Sequence, residues 1–274
     1  MRIMKFSNIA ALAAVLVSAA SCSLFAIDNY DGPKETICGR VVDVNTGEPV
    51  LTEQNSNGIR VRLTELSYGE GVQHNPDFYC KDDGTYRNTK IFEGNYNVRI
   101  DGPFIPLYRE DKDGNLIDDC TVTTDIKGVC TVNFNVQPFL KVEFVDEPTV
   151  RDGKINAKIK VTRATTVEEF KDAVVPMGGY QDYFPSVTDV RLFVSYSSTV
   201  NSANKHEPWC NVINYSGNSF ESNFGKPVPI SSNGTLISGS KVYVRAAARI
   251  NYDTPAGTGT RRYNFSEVKE VFVP

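Results

Sequence analysis

His206, Glu207 and Cys210 are the nearest this chain comes to a metal-ligand set, yet the Pro208-Trp209 pair inside the run gives no spacing by which a tetrahedral metal is held. The other histidine, His74, stands in a Gln-His-Asn-Pro stretch, and neither histidine sits in a nucleophile elbow, a zincin helix or a paired-cysteine motif. Both read as solvated loop residues. The 33 acidic residues include no motif that marks a glycosidase pair, whose two carboxyls must stand about 5 to 9.5 Å apart. The run Arg109-Glu-Asp111-Lys-Asp113-Gly114-Asn115 invites a calcium reading. With Gly114 at the sixth position, however, Arg109 and Cys120 fall where an EF-type loop needs carboxylates, so a hairpin turn tipped by Asp113-Gly114 is the better reading. No catalytic residue, metal or cofactor is assigned, and the chain reads as a non-enzyme.

Loop aromatics are better candidates. Gly179-Tyr180-Gln181-Asp182-Tyr183-Phe184-Pro185 joins three rings to two hydrogen-bonding side chains, and Trp209 and Tyr215 flank a second polar loop. Sugar rings offer C–H faces for stacking and hydroxyls for Asp, Asn and Gln, and loops on a rigid scaffold are common binding sites. Tyr180, Gln181, Asp182, Tyr183, Trp209 and Asn211 are therefore the expected ligand-binding residues. The competing reading is that these rings pack a domain junction or cover one end of a sandwich.

Cys22 signals chemistry of another kind. Arg2 and Lys5 precede an apolar run from Ile9 to Val17, then Ser18, Ala19, Ala20 and Ser21, which together make an export signal too short to remain as a spanning helix. A cysteine directly after small residues resembles the lipobox of bacterial lipoproteins, which implies acylation of Cys22 and cleavage before it. The expected organisation is a signal over 1–21, a lipid-anchored tether over 22–36, and two folded domains over 37–138 and 139–274, with the boundary at Pro138. Without the signal, 27 Lys and Arg face 33 Asp and Glu, a formal charge of −6, so nucleic acid is excluded as a partner.

The elements that must carry these residues are strands. Ile59, Val61 and Leu63 alternate with Arg60, Arg62 and Thr64, and Tyr96, Val98 and Ile100 alternate with Asn95, Asn97 and Arg99, which predicts one buried and one wet face. The same period runs through Cys130, Val132, Phe134 and Val136, through Leu140, Val142 and Phe144, through Ile155, Ala157, Ile159 and Val161, and through Val242 to Ile250. Turn residues such as Asn45-Thr46-Gly47 and Asp82-Asp83-Gly84 separate the runs. One helix is predicted, where Thr166 and Glu169 make a capping box, Val167, Phe170 and Val174 share a face, and Pro176 ends it. The fold class is all-β: two consecutive β-sandwiches with one short helix in the second. Of the cysteines beyond Cys22, positions 38, 80, 120, 130 and 210 make an odd count. If Asp125 to Gly128 closes a hairpin, Cys120 and Cys130 project from opposite faces and cannot bridge; Cys80 and Cys130 read as small buried hydrophobes.

The stretch Gly39-Arg-Val-Val-Asp-Val-Asn-Thr-Gly47-Glu-Pro49, with Asp83-Gly-Thr-Tyr86 and Phe92-Glu-Gly94-Asn-Tyr96, resembles transthyretin-like, carboxypeptidase-regulatory and Cna-B sandwiches. Lys241-Val-Tyr-Val-Arg-Ala-Ala-Ala248 and Tyr263-Asn-Phe-Ser266 are similar to the last strands of fibronectin type III domains. With Cys22, Asp28-Asn-Tyr-Asp31 and Gly102-Pro-Phe104, the chain resembles an uncharacterised two-domain lipoprotein family of Bacteroidetes, DUF3823. Its members are encoded beside outer-membrane glycan-import pairs, a TonB-dependent transporter and its surface lipoprotein. The resemblance implies a lipid-anchored outer-membrane protein, exposed at the cell surface, that assists glycan capture without catalysis. The alternative it leaves is a structural accessory subunit docked on the transporter complex.

Overall fold

The computed structural model describes residues 32–67, 75–107, 109–110, 113, 115–118, 120–177 and 179–274. Cys22, His74, most of the tether, and positions 111, 112 and 114 of the candidate calcium loop lie outside the described residues. The first half holds β1 (Glu35–Asp43), β2 (Arg60–Glu65), β3 (Asp77–Tyr79), β4 (Thr85–Ile91), β5 (Gly94–Asp101), β6 (Phe104–Ile105), β7 (Arg109–Glu110), β8 (Leu116–Asp118), β9 (Thr121–Ile126), β10 (Val129–Thr131) and β11 (Phe134–Pro138). One sheet is ordered β3-β2-β5-β9 and the facing one β10-β1-β11-β6, with β4 also on β1. Ile37, Val41, Ile59, Val61, Leu63, Val98 and Ile100 close fully between them. These are the alternating apolar positions, because a strand turns every second side chain to the same face.

The chain departs from the local sequence pattern at two places. The run from Cys130 to Val136 is not one strand: β10 pairs in parallel with Thr36–Cys38 and β11 in parallel with Val41–Asp43. Between them the Val132 carbonyl bulges onto Gly39, where a Cβ would stand 1.7 Å from that oxygen. Only glycine admits this approach, and the Tyr86 hydroxyl donates to the same carbonyl at 2.6 Å. Nor do β9 and β10 form a hairpin, since β9 pairs with β5 and β10 with β1, so Lys127 and Gly128 carry the chain from one sheet to the other. All five described cysteines are free. Burial pushes the Cys80 and Cys120 thiols up to about 12, which keeps them protonated and unreactive.

The second half holds β12 (Leu140–Phe144), β13 (Thr149–Arg151), β14 (Lys154–Arg163), α1 (Val167–Val174), β15 (Val187–Ser195), β16 (Asn211–Asn214), β17 (Pro227–Ser231), β18 (Lys241–Ile250) and β19 (Asn264–Phe272). One sheet places β12 and β13 along one side of β14 with β17 on the other, and the second is ordered β16-β15-β18-β19. Thr166 caps α1 with the full capping box, and Phe170, Ala173 and Val174 bury its inner face. No helix among the described residues is long and apolar enough to cross a membrane. The described residues thus form two β-sandwiches with one short α-helix.

Candidate functional site

The six expected ligand-binding residues do not meet in one place. β15 separates them: at its start the Ser186 N–H donates to the Tyr183 carbonyl (3.2 Å), and at its end the His206 N–H donates to the Val194 carbonyl (2.7 Å) and leads into Trp209. Seven residue steps from Val187 to Val194 span about 23 Å at roughly 3.3 Å each. Trp209 is only 5 % exposed and belongs to the core of the second sandwich. Its indole lies 4.0 Å from the His206 ring and 5.0 Å from Tyr196. Asn211 is structural as well, donating to the Ser231 carbonyl at 2.7 Å and so tying β16 to β17 across the open side of the sandwich. At the other end Tyr180 packs on the core beside Phe184, while Gln181 and Asp182 are exposed and Tyr183 is 51 % exposed. The reading of the rings as cover for sandwich ends therefore holds for Trp209 and Tyr180.

Sequence reasoning missed Tyr196, which is 50 % exposed with its ring held by the Trp209 edge. The available signal was its place in a Ser-Tyr-Ser-Ser run directly after an apolar strand. Cys210 donates to the Val194 and His206 carbonyls, and Glu207 pairs with Lys205 at 2.8 Å.

A concavity lies between the sandwiches. It encloses about 690 Å³, within the range of small-ligand sites. One wall is the turn after β1, in which Gly47 adopts a φ of +74°, the Asp43 carboxylate accepts the Asn45 N–H and the Asp43 carbonyl accepts the Gly47 N–H. That turn presents Thr46, Glu48 and Leu51. The opposite wall is β12 and the start of β19, which present Lys141, Phe144, Asn264, Ser266, Glu267 and Lys269. Lys141 (2.8 Å) and Lys160 (3.1 Å) clamp Glu143, and their hydrogen bonds, the Lys141 one foremost, hold its carboxyl below the usual range. Four carboxylates and two ammoniums line the space. Such a lining suits an uncharged polyhydroxylated ligand better than an anion.

The cleft keeps its shape because the junction beside it is pinned. Arg245 of β18, 1 % exposed, donates from Nη1 to the Thr52 carbonyl at 2.8 Å and from Nη2 to the Asp82 carbonyl at 3.3 Å, both on the first sandwich. Its Nε donates to the Ser266 carbonyl of its own sheet. Burial pushes the guanidinium down to about 10, against the pull of Asp82 and Glu53, so it remains charged at neutral pH. Arg262 repeats the device, donating to the carbonyls of Ser56 (3.0 Å), Gly58 and Thr254. The fully buried Glu53 supplies the counter-charge and accepts from the N–H and hydroxyl of Ser202 on the second sandwich. Asn264 completes the seam, accepting from the Leu140 N–H and donating to the Pro103 carbonyl.

Two sandwiches locked around a cleft define a two-domain all-β protein without a recognised catalytic family. The chain belongs to the DUF3823 family. The model of the N-terminal domain of that family, a protein of unknown function, matches residues 35–137. A DUF3823 protein of known structure from Bacteroides uniformis is 60 % identical, with a TM-score of 0.85 over 88 % of this chain and 100 % of that one. A provisionally assigned carbohydrate-binding protein from the same species shares the fold at 19 % identity, with a TM-score of 0.60 over 88 % of this chain and all of its own. A DUF3823 protein from Parabacteroides merdae is similar at 16 % identity and a TM-score of 0.57 over the same shares. Among curated proteins, none matches.

Proposed function

We propose that this protein is an outer-membrane lipoprotein, anchored through acylated Cys22 and exposed at the cell surface, that binds a glycan without cleaving it. It would hand that glycan to an import system made of a TonB-dependent transporter and its surface lipoprotein. The observation that carries the binding step is the pinned cleft of about 690 Å³, where Phe144 and Leu51 offer apolar contact beside the hydroxyl of Thr46 and the charges of Glu143, Glu267 and Lys141. Sugars need that mixture, a flat apolar face and directional polar partners. The provisional carbohydrate-binding assignment of a protein with the same fold supports the reading.

The test is calorimetry of residues 22–274 against a panel of neutral oligosaccharides, with E143A/E267A as the cleft variant. Binding that weakens at least tenfold in the variant, with an unchanged melting temperature, is the expected result. A glycan held equally well by the variant, or none held at all, would remove the cleft reading. Anchoring is tested separately by fatty-acid labelling, which a Cys22→Ala protein should lose as it is released in soluble form. The accessory-subunit reading draws on Ile237 and Phe272, two large apolar side chains exposed where the turn after Leu236 meets the end of β19. Pull-down of the transporter pair, abolished by I237D/F272D and indifferent to E143A/E267A, would favour it.

A further inference from the structure

Away from the cleft, the outer face of the β15–β18 pair carries an arrangement the binding reading does not use. Asp189, buried, accepts from Arg191 Nε on one oxygen (2.9 Å) and from Arg249 Nε on the other (2.7 Å). The Tyr263 hydroxyl donates to it at 2.6 Å, and both guanidiniums lie over the Tyr263 ring, 5.6 and 4.6 Å from its centre. One carboxylate and one ring thus fix two arginines. Each spends its Nε on this task and keeps its forked end nearly uncommitted: Arg191 makes no further hydrogen bond among the described residues, though Glu207 attracts it, and Arg249 has only a long 3.4 Å contact to the Arg261 carbonyl. Their side chains are 29 % and 27 % exposed, so the forks reach water.

The surrounding charge sets the ligand. Lys205 and Glu207 pair with each other beside Arg191, and Arg261 pairs loosely with Asp253, so the cluster retains one positive charge in a chain whose formal charge is −4. A single excess charge beside a buried carboxylate matches a monoanion better than a dianion, which Asp189 would repel. Two preset guanidinium forks match the planar geometry of a carboxylate. The positive charge also contrasts with the cleft, whose lining is net acidic.

We infer that Arg191 and Arg249 form a receptor for the carboxylate of an acidic sugar, a uronate, separate from the cleft. The sugar rests on the glycan-binding reading; the site does not rest on the cleft. The experiment is calorimetry of residues 22–274 with trigalacturonate and with neutral galactotriose, on the parent, on R191K/R249K and on E143A/E267A. The lysine pair preserves the charges that Asp189 needs, so the protein stays folded, but it lacks the planar forks. Trigalacturonate affinity should fall at least tenfold in R191K/R249K, should weaken with added salt, and should be unmoved in E143A/E267A. The inference is overturned if the parent does not bind trigalacturonate, or if R191K/R249K binds it as well as the parent. Galactotriose binding that depends on the cleft residues alone would leave the cleft reading standing whichever way this result falls.

Discussion

Arg245 and Arg249 stand four residues apart on the same face of β18, yet they live in different environments. Arg245 is shut under the first sandwich and spends every polar group on carbonyls, two of them from the other domain. Arg249 lies beyond the edge of that cover, is held by a carboxylate of its own sheet, and keeps its fork toward water. The difference shows that the junction covers only part of the sheet, and that the covered part is polar. A seam built of guanidinium-to-carbonyl bonds tolerates the loss of a partner poorly, because the Thr52 carbonyl left behind is buried away from water. A surface pair is far more forgiving.

The sharpest way to break the comparison is Arg245→Ala. It strands the buried Thr52 carbonyl, removes the longer bond to the Asp82 carbonyl and leaves Glu53 less well compensated, so we expect a loss of about 3 to 5 kcal/mol. Denaturant unfolding measures this, and the single transition of the parent should separate into two as the sandwiches uncouple. A loss below about 1 kcal/mol would show that the seam does not depend on the buried guanidinium.

Asp189→Asn comes next, with an expected cost of about 2 kcal/mol at pH 7, since it removes the charged acceptor of four donors, Arg191, Arg249, Tyr263 and the Thr188 hydroxyl. It also changes the pH profile. Burial acts to raise the Asp189 pKa, but the Tyr263 hydroxyl and the two arginines outweigh it and hold the carboxyl below its ordinary 3.8. A depressed acid stabilises the fold above its unfolded pKa of about 3.9, and that contribution is lost as pH falls through the folded value. Melting temperatures between pH 6 and pH 2 should therefore drop less steeply in the Asn variant than in the parent. Parallel curves would contradict the assignment.

Arg249→Ala should have the smallest effect, about 0.5 to 1 kcal/mol, because its partly exposed charge is screened and Arg191 still serves Asp189. Urea titration beside the Arg245 variant tests the ranking directly. An Arg249 loss equal to that of Arg245 would collapse the distinction between covered and open face.

The fold was legible wherever the deciding interaction is local. Ile59-Val61-Leu63 and Ile155 to Val161 bury as their alternation requires, and the Thr166–Glu169 box starts the helix where its side chains meet the backbone three residues away. The candidate site was much less legible. Tyr180 and Trp209 share a composition that suits stacking, but about a strand's length of β15 lies between them, and no local pattern records that distance.

Several features were decided only in three dimensions. The alternation over Val242–Ile250 marks Val242, Val244 and Ala246 as inward, and it marks Tyr243, Arg245, Ala247 and Arg249 as the other face. It cannot say that the first sandwich lies on Arg245 and Ala247 and stops short of Arg249. Periodicity reports which side of a strand avoids water, because that follows from the side chains themselves. What covers the remaining side depends on residues nearly 200 positions away, and the Arg245 bond to Thr52 spans 193 of them. The sequence by itself determined two β-sandwiches, their turns and one capped helix, through contacts a few residues long. The pinned seam, the cleft beside it and the open arginine pair were decided by tertiary structure, because each exists only where the two sandwiches meet or fail to meet.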